Sequence, residues 1–429
     1  MSAELEQAAK AHLSSTSWAQ RLYLAGLYLY AFTCHFSISA SQISLILALI
    51  GFLGLFLTGK TRPERTPLDL PFAFFTTTGL LSVFRAEDLS RALPEMKAYL
   101  IIFCFYVAYW YKLSDRQLMK IFGVFVSSAA LVAIVNSLRM PYLELPGNRA
   151  KGFYSMAMTF GECQALGLLS ATILFGCIRR SFIGTSLLLL ATVSTAYSVL
   201  FSMVRSAWIG LSIGLTILFF RFPRRTAIVI LVILAAISPF LYVNPDIRDR
   251  ITGLNPKKTA DLGSMQIDNL PENGSLQASY YRMTIWWRGF QMQENNYPFG
   301  IGINNVKNWY KKLASEYEHQ NNLIWGHQHN NFMQTFASKG YLGLIAFFNF
   351  IIAALVFVWQ PARNDGNPAL SLNRGASAIY ICFIVYGIGE FSWGDEEVTM
   401  MAMFLIGLLM NPHPAASSSG SLPQADTAS

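Results

Sequence analysis

The stretch ISLILALIGFLGLFL, residues 43–57, contains no charged side chain. A continuous apolar run of this kind reads as a membrane helix of about 20 residues, because a barrel strand would alternate in and out over about ten. AIVILVILAAISPFLYV at 227–243 has the same character. Composition agrees: the 429 residues are 53% hydrophobic and 14% aromatic, and only 13% are charged. A soluble domain of this length does not need so much apolar material for its core. The fold class expected is an all-α integral membrane protein.

Runs of the same kind recur along the chain, and about twelve spans are expected, at 20–36, 38–58, 68–84, 97–112, 117–138, 155–178, 183–203, 206–221, 225–243, 332–359, 375–393 and 397–411. The N-terminal residues MSAELEQAAKAHLSSTSWAQ are polar and partly acidic, unlike a cleaved signal peptide. With that end cytoplasmic, alternate short loops on its side hold Lys60, Arg62 and Arg65, then Lys112, Arg116 and Lys120, then Arg179 and Arg180, then Arg221, Arg224 and Arg225, and finally Arg363 and Arg374. That bias obeys the positive-inside rule and places both termini in the cytoplasm. The net charge of +8 has a second reading, attraction for an anionic substrate. Cys34, Cys104, Cys163, Cys177 and Cys382 all lie in apolar runs, so no disulfide framework is expected.

The division that follows is 1–243 for nine helices, 244–331 for a long non-cytoplasmic loop, 332–411 for three more helices, and 412–429 for a disordered tail rich in Ser, Pro and Ala. A loop of that length calls for a folded cap. Its early part, NPKKTADLGSMQIDNLPENGS, reads as flexible. Ser279 is expected to cap a helix through Gln293 with Met283, Trp286, Trp287 and Phe290 on its apolar face, and Asn304 or Asn305 to cap a second helix through about Ser315.

Charged and titratable residues inside such a chain need a reason to be there. Arg205 sits within VLFSMVRSAWIGLSIG, where a guanidinium is costly unless it lies at a wet hairpin or meets an anion. Its position opposes the positive-inside bias, which favours the anion. Arg282 and Arg288 share one helix, but six residues turn them roughly 120° apart, so they do not face one point. Arg282 shares a face with Trp286 and is the better anion ligand; Arg288 reads as a second contact or a solvated charge. His327 and His329 flank Gln328, with Asn330 placed to cap the next helix. Neighbouring positions supply no acid or thiol to complete a metal site, so a metal is disfavoured. A structural imidazole and a general base both fit, since a pKa of about 6.5 suits proton transfer near neutrality. Glu162 is an intramembrane carboxyl, to be read as a functional group, as the partner of an arginine or as a protonated interior acid. Arg149 and Lys151 fit an anionic site or lipid headgroups equally. The turn YPFGIGINN lacks the third glycine and the preceding strand of a nucleotide fingerprint.

The run His329-Asn330, nine residues, Gly340, two residues, Gly343 resembles the pattern of the O-antigen ligases. Arg205-Ser206 after an apolar run, and Arg282-x-x-x-Trp286 ahead of Pro298-Phe299-Gly300-Ile301-Gly302, resemble the arginine motifs of the wider ligase and polymerase superfamily. The resemblance implies about twelve helices with a periplasmic cap in the inner membrane of a Gram-negative bacterium. It also implies a metal-independent, inverting transfer of O-antigen from undecaprenyl pyrophosphate to lipid A-core. No cofactor and no nucleic acid is implied; the partners are the two glycolipids and membrane lipid. Carried over by position, Arg205, Arg282 and His329 are the catalytic residues. The arginines bind the pyrophosphate, with Arg288, His327, Gln328, Asn330, Arg149 and Lys151 as further substrate contacts. O-antigen polymerase, with the same donor chemistry, and a polysaccharide or lipid transporter are the alternatives, and either His327 or His329 can be the base.

Overall fold

The computed structural model describes residues 17–139, 149–177, 181–244, 247, 274–294, 296–359 and 371–412. The N-terminal residues before 17, the flexible stretch expected around 255–275 apart from its last two positions, and nearly all of the tail expected at 412–429 lie outside the described residues.

Those residues form helices and no strand. In chain order they are α1 (Trp18–Thr33), α2 (Ile38–Leu57), α3 (Asp69–Val83), α4 (Leu89–Glu95), a 3-10 turn at Met96–Ile102, α5 (Phe103–Tyr109), α6 (Asp115–Arg139), α7 (Ala157–Cys177), α8 (Phe182–Phe201), α9 (Arg205–Arg221) and α10 (Pro223–Val243). Then come α11 (Gly274–Gln291), α12 (Val306–Leu313), α13 (Glu316–Gln320), α14 (Asn331–Val358), α15 (Ala376–Gly389) and α16 (Glu396–Leu409). Among the described residues, seven segments are long and apolar enough to cross a bilayer: Ile38–Leu57, Ala92–Tyr109, Asp115–Arg139, Ala157–Cys177, Phe182–Phe201, Pro223–Phe240 and Asn331–Val358. α1, α3, α9, α15 and α16 run 14 to 17 residues, shorter than those seven.

Local sequence sets the ends. Ser17, Ser37, Ser181 and Asp395 each cap a helix through a side-chain oxygen that accepts from a free amide. α1 and α2 pack as a tight antiparallel pair because Gly26 faces the backbone of Ala48 and Gly51 the backbone of Tyr23, where a Cβ would collide. α7 is the central element, its residues from Thr159 to Leu174 being buried.

Two breaks position the site. α8 ends at Phe201 and α9 begins at Arg205, with Met203 in the left-handed region between them. α15 ends at Gly389 and α16 begins at Glu396. α9 lies close against α15, Gly210 meeting the Cys382 carbonyl and Gly389 meeting Ser206, so both breaks come to one end of the bundle.

The segment after α10 includes a small core of its own. Ile285, Met292, Ile301, Val306, Tyr310 and Ala337 are buried together, with Trp286, Trp309 and Leu313 packed on them. Ala337 belongs to α14, which therefore serves cap and bundle at once. Its two parts meet at Gly340, whose backbone is non-helical at φ 67°. The Pro298 carbonyl leaves no room there for a Cβ. A kink orphans carbonyls of the preceding turn. Here Gln293 donates to the Phe336 and Ala337 carbonyls, and the amides of Ile301 and Gly302 donate to those of Ala337 and Ser338. Gln293 and the turn YPFGIGINN together thus supply donors to those carbonyls.

Ser279 does not cap α11, which starts five residues earlier at Gly274 and ends at Gln291. Its hydroxyl meets Arg205 instead, as described below. Asn305 occupies the cap position of α12 without a side-chain cap bond, because its amide nitrogen turns back to the Ile301 carbonyl.

Candidate functional site

His329 begins in a strained backbone. Its φ of 46° lies in the left-handed region, which an L-residue adopts at some cost. Asn330 holds that conformation from the next position: its Oδ1 accepts from the amides of Phe332 and Met333, and its Nδ2 donates to the Ile388 carbonyl. Asn331 then ties to Ser392 Oγ and to the Trp393 amide. The start of α14 is thereby fastened to the break after α15.

Through that fastening Glu390 comes beside the histidine. Its Oε2 lies 3.0 Å from His329 Nδ1, and Arg282 Nη2 donates to its Oε1 at 2.5 Å. Glu390 is 5% exposed. A carboxylate so buried needs charged or donating partners, and it has one of each on its two oxygens. The contact fixes Nδ1 of His329 as the donor and leaves the lone pair on Nε2. His327 lies close by, its ring tilted to that of His329 with centroids 4.1 Å apart, and its Nδ1 accepts from the His329 amide. Burial, then the neighbouring His329, push His327 down to about 4 against a smaller opposing pull from Glu390, so it is a neutral imidazole near pH 7.

α11 brings the arginines in. Arg205 Nη2 donates to Ser279 Oγ at 3.3 Å, one helical turn from Arg282 on the same helix. Arg205 therefore faces the turn of α11 that carries Arg282, and Arg282 reaches Glu390 and through it His329. Val204, at the cap position of α9, makes no side-chain cap bond, so the first amides of the helix add a positive end beside the Arg205 guanidinium. Arg149 Nε donates to the Ser202 carbonyl at 2.8 Å, which seats Arg149 on the turn just before Arg205. Lys151 is exposed nearby in sequence, its carbonyl accepting from Tyr154.

Other expected contacts go elsewhere. Arg288 donates to Glu318 Oε2 at 2.6 Å and to Gln291, while Tyr310 donates to Glu318 Oε1 at 2.8 Å. This cluster pins α11, α12 and α13 together in the cap. Burial opposes ionisation of Glu318, but the bonds from Arg288, Ser315 and Tyr310 outweigh it and hold the carboxyl below its usual range. Gln328 is buried, with its Nε2 toward Met292 and its carbonyl accepting from Trp286 Nε1. Glu162 is fully buried in α7, and among the described residues neither of its oxygens has a hydrogen-bond partner and no arginine pairs with it.

Glu390 is the residue missed from the sequence. The residues next to His329 along the chain include no acid, whereas Glu390 lies 61 positions away. One signal was present: an acid closing the apolar run ICFIVYGIGEFSW. Among the described residues no group of three or more His, Cys, Asp or Glu side chains is arranged to hold a metal ion.

Residues 165–348 match a family described as O-antigen ligase. The match supports membership of the O-antigen ligase superfamily, which covers ligases and polymerases and implies a glycosyltransferase-type enzyme. It contains Arg205, Arg282 and His329 and ends before Glu390. Among curated proteins none matches the chain.

Proposed function

We propose that this member of the O-antigen ligase superfamily is an O-antigen ligase of the bacterial inner membrane. It transfers the glycan from undecaprenyl pyrophosphate to an outer-core sugar of lipid A-core, at the periplasmic face. The observation that carries the proposal is the chain of contacts Arg205 to Ser279 on α11, Arg282 to Glu390, and Glu390 to His329. An anion-binding pole and a proton acceptor thus stand side by side.

The reaction divides between those poles. The acceptor hydroxyl oxygen attacks the anomeric carbon from the face opposite the diphosphate, and the bond from that carbon to the diphosphate oxygen breaks. Nε2 of His329 takes the hydroxyl proton, and Glu390 stabilises the imidazolium that results. The bond electrons leave on the diphosphate. Arg205, the start of α9 and the donors of Arg282 not used by Glu390 meet that growing charge with dipoles already in place. A guanidinium suits this because it presents paired donors to phosphate oxygens. Arg149, on the turn before Arg205, lies where it adds to the same field.

The test is reconstitution: purified protein, lipid-linked O-antigen and lipid A-core, with the joined product followed on a gel. Product formation is the expected result. Elongation of the lipid-linked glycan without transfer to lipid A-core would replace the reading by polymerase, and absence of both would remove it.

A further inference from the structure

One face of α11 is turned away from the protein. Ile285, Gly289 and Met292 are buried toward the cap core and α14, whereas Met283, Trp287 and Phe290 stay 43%, 60% and 51% exposed. Their spacing of four and three residues makes them a single helical stripe. Three large apolar side chains in a row on an outer face call for an occupant.

The stripe does not end on α11. Phe290 packs edge-on against Phe336, Phe336 against Tyr341, and Tyr341 against Tyr297. Tyr341 heads a second exposed stripe, Tyr341, Ile345, Phe348, Ile352 and Val356, that runs down α14. α14 is long and apolar enough to span a bilayer, so that second stripe is its lipid-facing side. The aromatic residues between the two stripes are of the kind that settles at the boundary between acyl chains and headgroups.

We infer that the Met283–Trp287–Phe290 face of α11 is a membrane-docking surface, immersed in the headgroup and acyl boundary of the leaflet beside the site. The ligand is lipid itself, met by an amphipathic helix lying along the surface. The inference goes beyond the reaction proposed above and does not depend on it. It has a consequence for that reaction: Arg282, next to Met283, is held at headgroup depth, where a lipid-borne diphosphate arrives by lateral diffusion.

The experiment places a fluorophore on a cysteine at Met283→Cys or Trp287→Cys, with Lys307→Cys on the exposed side of α12 as the comparison, in the full chain in phospholipid nanodiscs. The five native cysteines are buried, and the parent chain gives the background labelling. The labels at 283 and 287 are expected to be quenched by doxyl-labelled lipid at least fivefold more than the label at 307, and to resist aqueous iodide. Iodide quenching equal to that at 307 would overturn the inference, as would lipid-insensitive labels accompanied by a dimer in light scattering, which would make the face a protein interface. Should either cysteine variant fail to fold, fluorotryptophan in the parent chain gives the same reading. The resonance lost in Trp287→Phe should broaden with paramagnetic lipid, and a sharp line would overturn the inference.

Discussion

Glu390 gives His329 a direction. With Nδ1 committed to the carboxylate, only Nε2 is left to accept a proton, so His329→Ala should lower transfer by about 10²–10⁴-fold. Glu390→Gln should lower kcat by at least about 10-fold and leave the protein folded, because the amide cannot stabilise an imidazolium. Near-normal turnover in both variants would remove the acid-base pair. Arg205→Lys and Arg282→Lys should each lose most activity, since an ammonium offers no paired donors to a phosphate; steady-state rates with lipid-linked donor check this. His327 carries a pH effect whose sign follows from its depressed value of about 4 against about 6.5 unfolded. Its contribution to stability is full above about 6.5 and is lost as pH falls toward 4, because the unfolded chain binds the proton first. Thermal melts across that window should therefore flatten in His327→Asn.

Among the elements, the cap depends on one buried ion pair more than on helix propensity. α13 has five residues and α12 eight, too short to persist alone. Arg288, Glu318 and Tyr310 bind them to α11. Removing one partner leaves the other charge buried, so Arg288→Ala should destabilise the cap by about 3–5 kcal/mol, read as early protease cutting between 290 and 320. Hydropathy located the helices better than the spans: the stretches at 183–221 and 375–411 each divide into two helices, but of those four only Phe182–Phe201 is long and apolar enough to cross a bilayer. The start of α11 was not legible in the sequence. Ser279 looked like a cap because a small hydroxyl residue preceded an amphipathic run, but the helix begins at Gly274 and the serine instead faces an arginine from another helix. Cap chemistry is local, and a distant partner competes for the same hydroxyl.

At the scale of the molecule, α9 against α15 and α14 beside α15 bring the two helix breaks to the same end, and α11 reaches that end through Arg282. If that end is periplasmic, a cysteine introduced at Lys307 should react with an impermeant maleimide added to intact spheroplasts, and one at Lys60 only after the membrane is opened. The reverse pattern would invert the orientation and remove the periplasmic transfer. Sequence alone established that this chain is helical and membrane-bound, where its apolar runs lie, that Arg205 is out of place among them, and that Arg282 and His329 stand in the long segment between them. Those are properties of composition and local period, which each segment carries by itself. Packing between distant segments settles that Glu390 contacts His329, that Arg288 pairs with Glu318, and that the YPFGIGINN turn donates to carbonyls beside the kink at Gly340. Each of those pairings joins residues far apart in the chain, and helix packing, not spacing, sets which of them meet.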